Sequence, residues 1–144
     1  MTDSKPTRRI DRMFERIKSH GFESLTLSER ASFGVTWLYI ETNNGGLHQF
    51  FFNDAGKLAS DALRGLEMVG ASATASILRR AMSVFPGGVI PVEQAARRQF
   101  LCEVLAPEQE KLLDDLTTEF YRSSEPVAEL LDTYVQQHPE EFPT

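Results

Sequence analysis

The chain has 144 residues, 41% of them hydrophobic and 25% charged, with one cysteine and a net charge of −6. That length supports one self-sufficient core, so the composition excludes a multidomain machine, a disordered chain and a disulfide scaffold. No apolar run approaches the roughly 18 to 20 residues of a membrane span, and the opening MTDSKPTRRIDRMF carries an early acid and no apolar stretch of a secretory signal, so a cytoplasmic location is expected.

The first periodic segment places Ile10, Met13, Phe14 and Ile17 on one helix face, with Arg8, Arg9, Arg12, Arg16 and Lys18 on the others. It reads as a basic amphipathic helix docked on the core; as a nucleic-acid contact its arginines would meet phosphates. Thr26-Leu27-Ser28-Glu29 has capping-box spacing, and the apolar run after it predicts a central helix from Leu27 to about Asn43, buried on most faces. Asn-Gly chemistry ends it, and Leu47 to Asn53 stays ambiguous between strand and helix. Helical spacing returns over Leu58–Val69 and Ala71–Phe85, breaks in the loop Pro86–Pro91, and resumes over 92–105. Pro107 suits the first position of a helix over about 107–121, and a last helix covers about 125–137. The first six or so residues and the final PEEFPT read as loose. The expected architecture is all-α, a single compact domain over 1–144 of about seven or eight helices.

Chemistry is sparse. Glu41, Asn43, Asn44, His48 and Gln49 form a dense polar cluster beside Trp37 and three phenylalanines. An enzyme or small-molecule site there would use His48 as a base oriented by Glu41. No nucleophile, cofactor motif or second base accompanies them, so the cluster reads first as a network that ends one helix and starts the next, and no catalytic residue and no cofactor are assigned. His20, His48 and His138 lack zinc-type spacing, so no metal is assigned. Cys102, among Phe100, Leu101, Val104 and Leu105, reads as buried packing.

Charge distribution is more informative. Residues 1–30 hold seven basic and five acidic side chains, residues 31–100 six and five, and residues 101–144 two and eleven. In the last predicted helix Glu125, Glu129 and Asp132 fall on one stripe, and in the one before it Glu108, Asp115 and Glu119 share a side while Glu110 and Asp114 share the other. Neighbouring carboxylates on such stripes can stand in for phosphates along a nucleic-acid strand. That repels DNA itself and suits a DNA-binding protein. Opposite charge at the two ends would also favour a homodimer.

The run ETNNGGLHQFFFNDAG, followed by ALRGLEMVGA, ASILRRAMSVFP and PVEQAAR, resembles a bacterial domain-of-unknown-function family named after a DNA-mimic protein. The resemblance covers about residues 26–105 and centres on Asn44, Gly45, Gly46, Gln49 and Phe50. It implies a helical domain and, for the founding member, an acidic surface that occupies the DNA-binding face of a transcriptional regulator. Combined with the acidic helices over about 107–137, it leads to the expectation of a non-enzymatic protein-interaction module, without membrane or direct nucleic-acid binding, whose partner contacts are Glu108, Asp115, Glu119, Glu125, Glu129 and Asp132.

Overall fold

A computed structural model describes residues 6–143, with side chains from Arg9 onward. Among these residues there are seven α-helices and no strand: α1 (Pro6–His20), α2 (Leu27–Phe52), α3 (Ala59–Met68), α4 (Ser72–Met82), α5 (Gln94–Gln99), α6 (Pro107–Arg122) and α7 (Val127–Gln137). Arg8 as a side chain and residues 1–5 lie outside this description.

The long helix α2 is the axis of the molecule. Its start is fixed by a capping box, with Glu29 N donating to Thr26 Oγ1 at 3.1 Å and Thr26 N donating to the Glu29 carboxylate at 2.8 Å. Helical geometry fails at Gly45 and Gly46, and Gly46, at φ 85 and ψ 177, occupies a region that essentially only glycine enters. Leu47 to Phe52 then continue as helix, which resolves the ambiguous segment, and the break turns Leu47, Phe50 and Phe51 into full burial. Helix α3 crosses α2 at small residues: a Cβ on Gly34 would stand 2.6 Å from the Ala62 backbone nitrogen, and one on Gly65 2.6 Å from the Ala31 carbonyl oxygen. Helices α4 and α6 close the other side through Ile77, Leu78, Ala81, Leu113, Leu116 and Phe120.

Three expectations are corrected. The segment after α5 winds as a π-turn, Phe100–Val104; its wider turn rotates Leu101 inward and leaves Cys102 exposed. Phe14, on the predicted apolar face of α1, is 42% exposed while Met13 beside it is fully buried. The C-terminal segment is docked: Pro139–Glu141 form a 3₁₀ turn, Thr26 Oγ1 donates to the Glu141 carbonyl at 2.6 Å, and Phe142 is buried in a second cluster with Met13, Leu25, Phe33 and Leu58.

Candidate functional site

Helix α6 buries Leu113, Leu116 and Phe120, which leaves the rest of its circumference to solvent. Glu108, Asp115 and Glu119 are exposed along one edge of that buried stripe and Glu110 with Asp114 along the other. Glu108 and Glu110 also lie in the first turn, where the helix dipole favours negative charge. Asp115 accepts a hydrogen bond from Lys111 Nζ at 2.7 Å, and Glu119 pairs with Arg80 of α4. At 1.5 Å rise per residue, the five carboxylates between 108 and 119 spread over about 16 Å, or one per about 4 Å with both edges counted together; duplex DNA with both strands counted carries a phosphate per about 1.7 Å.

Helix α7 contributes less acid than its spacing predicts. It begins at Val127, so Glu125 precedes it and is no member of a helical stripe. The physical reason is Pro126, whose ring disfavours helical geometry in the residue before it. Glu125 turns instead to α4, whose N-terminal Ala71 has no side-chain cap. Its carboxylate accepts from Ala73 N at 3.1 Å, Thr74 N at 2.8 Å and Thr74 Oγ1 at 2.6 Å. Burial raises its pKa, but the bonds from Thr74 and Ala73 outweigh it and hold the group below the ordinary carboxylate range. Asp132 is half-buried and pairs with Arg9 at 3.1 Å. Glu129 is exposed, in the first turn of α7. Glu125, Glu129 and Asp132 border a cleft of about 600 Å³ between α1, α2 and α7, floored by Ile10, Val35, Tyr39 and Leu131.

Within the polar cluster the structure joins Glu41 to Gln49 and does not join Glu41 to His48. Glu41 accepts from Gln49 Nε2 and Asn53 Nδ2, both at 2.9 Å, and so braces the break in α2. His48 stacks on Phe52, with ring centroids 6.1 Å apart, and is not bonded to Glu41. Asn43 and Asn44 point to solvent on the outside of the break. His138 stacks on Tyr134 at 4.0 Å and His20 is exposed, and no group of three His, Cys, Asp or Glu among the described residues is placed to hold a metal. The basic helix is tied inward: Arg9 is buried on Asp132, and Arg16 pairs with the buried Glu29 and donates to the Ser24 carbonyl at 2.9 Å.

Sequence reasoning missed Arg97. It is fully buried and donates to five backbone carbonyls: Phe51 at 2.9 Å, Pro91 at 3.0 Å, Val92 at 2.7 Å, Asn53 at 3.0 Å and Asp54 at 3.4 Å. Burial lowers the guanidinium's pKa and the charge of Asp54 opposes that. The wrapping is close enough that a Cβ on Gly56 would meet Arg97 Nε at 2.7 Å. The one prior signal was the pairing of NDAG with a distant PVEQAAR, which does not reveal that backbone carbonyls are what an arginine will bind.

A family model described as DMP19-like protein matches residues 23–138. The chain belongs to the DMP19-like family. No curated protein and no solved structure matches it. The DMP19-like match takes in α2 through α7, including the acidic helices that lie beyond the Asn-Gly-Gly run. The residues that first carried the resemblance have structural work in the DMP19-like domain: Gly46 forms the break, Gln49 holds Glu41, and Phe50 fills the core. Among the described residues, no helix is long and apolar enough to cross a membrane.

Proposed function

We propose that this DMP19-like chain is a non-enzymatic interaction module that presents α6, extended by Glu129 on α7, as an imitation of a phosphate strand to the basic DNA-binding surface of a protein partner, a transcriptional regulator. Family membership supports the DNA-mimic class. The observation that carries the reading is the charge along α6, five exposed carboxylates within about 16 Å of helix axis, in two rows that flank the buried stripe. Of the six carboxylates expected to meet a partner, Glu108 and Glu129 are exposed without an ion-pair partner among the described residues, Asp115 and Glu119 are exposed but paired, and Asp132 and Glu125 are engaged internally. The working surface is therefore Glu108, Asp115, Glu119 and Glu129, joined by Glu110 and Asp114 on the other edge of α6.

The test is affinity capture from a bacterial lysate at low salt with the tagged protein, beside a variant carrying Glu108→Lys, Asp114→Lys and Glu129→Lys. These positions are exposed and unpaired, so the variant is expected to keep its fold by circular dichroism. A DNA-binding regulator captured by the unmodified protein alone, and released by competing duplex DNA, is the expected result. Identical captures would remove α6 from consideration.

A further inference from the structure

A second groove, of about 730 Å³, lies on a different side, between α1, the middle of α2 and the 3₁₀ turn Asp54–Leu58, and shares no residue with α6 or α7. Its apolar part is aromatic: Phe14, Phe22, Phe33 and Trp37, with Phe14 and Phe33 centroids 5.3 Å apart and Phe14 and Trp37 6.1 Å apart in edge-to-face contact. Phe14 and, at the far wall, Val92 are left open at 42% and 74% exposure. The border is acidic, with Glu23, Glu41, Asp54 and Asp61 against Lys57 in the lining and Arg30 and Arg64 beside it. Lys57 answers Asp54 at 3.1 Å, Arg64 answers Asp61 at 2.7 Å and Arg30 donates to the Glu23 main-chain carbonyl at 2.8 Å, while the carboxylates of Glu23 and Glu41 have no ion-pair partner among the described residues.

From this combination we infer that the groove docks a basic amphipathic segment of a partner protein, a stretch that offers an aliphatic or aromatic anchor with Lys or Arg on either side. The anchor takes the space between Phe14, Trp37 and Val92. The cations meet Glu23, Glu41 and the exposed Asp54, and the ring faces add their own attraction for a cation, as Arg30 already uses at Phe22 with 5.5 Å from its guanidinium carbon to the ring centroid. The same border repels nucleic acid and anionic lipid, so a basic peptide is the occupant that charge complementarity selects. This site stands apart from the proposed mimic surface and neither needs the other.

Trp37 is the chain's one tryptophan and reports the groove directly. The probe is a synthetic amphipathic peptide of Lys and Leu, titrated against Trp37 emission, with a Glu and Leu peptide of the same pattern as control. The expected result is a saturable blue shift with the Lys peptide only, weakened at least tenfold by Glu23→Lys with Asp54→Lys and unchanged by Glu108→Lys. The last comparison separates this site from α6. No shift, equal shifts from both peptides, or equal affinity in the double variant would overturn the proposal. So would a shift produced by phosphatidylglycerol vesicles and not by peptide, which would make the groove a lipid contact. A dimer in sedimentation that Phe14→Glu dissolves would make it a contact between copies, and would overturn the proposal equally.

Discussion

A carboxylate that accepts three hydrogen bonds from one helix end links that helix to pH. Glu125 ionises below the ordinary value of about 4.5, so its contribution to stability is complete above that value and is lost as pH falls through the lower, folded one. Glu141 behaves the same way, held down by the hydroxyls of Ser28 and Tyr134. Urea midpoints are therefore expected to be level above about pH 5 and to fall in more acid solution; Glu125→Gln should lower the neutral-pH stability by about 1 kcal/mol, as loss of a cap does, and flatten the acid slope. An acid slope identical in wild type and variant would show that Glu125 contributes nothing. Arg97 carries the larger stake, because its removal orphans carbonyls at the end of α2 and in the loop that leads into α5. Arg97→Met is expected to cost about 3 kcal/mol or more in urea unfolding, and Arg97→Lys nearly as much, since one ammonium cannot span five acceptors. Little of this was legible beforehand. Glu125 imitates a helical stripe by its spacing to Glu129 and Asp132, and Pro126 was the sign that the stripe begins too early.

Helix ends were readable where a side chain or ring makes them: Thr26 with Glu29 at the start of α2 and Pro107 at the start of α6. The break at Gly45-Gly46 was readable as an ending but not as a resumption, because Leu47-His48-Gln49-Phe50-Phe51-Phe52 is too short for periodicity to choose its type. Cys102 and the PEEFPT segment were misread for tertiary reasons; a π-turn shifts the facing residues by one, and a single phenylalanine anchors an otherwise polar tail. Deleting residues 139–144 is expected to destabilise the fold by about 2 to 3 kcal/mol, since Phe142 leaves a filled site, with the loss visible as an earlier thermal midpoint. At the α2 and α3 crossing, Gly34→Ala must push backbone against backbone, and about 1 to 3 kcal/mol of destabilisation is expected from denaturant titration.

Across the whole molecule the acidic excess of the last third is only partly offered to solvent. Arg9 reaches Asp132 within one chain, so this contact between the oppositely charged ends needs no second copy, and Arg80 of α4 reaches Glu119 in the same way. What remains on α6 is exposed, and any complex built on it should weaken steeply as salt rises, because such charges are screened beyond about 8 Å at physiological ionic strength. A capture that survives half-molar salt unchanged would contradict a phosphate imitation. The burial of Phe142 reaches further still. Its cluster partners Met13, Leu25, Phe33 and Leu58 lie far earlier in the chain. A ribosome adding about 5 to 20 residues per second needs roughly 4 to 17 s to travel from Leu58 to Phe142. For that interval the nascent protein shows an unfinished apolar face, and a chaperone that holds growing chains has its opening there.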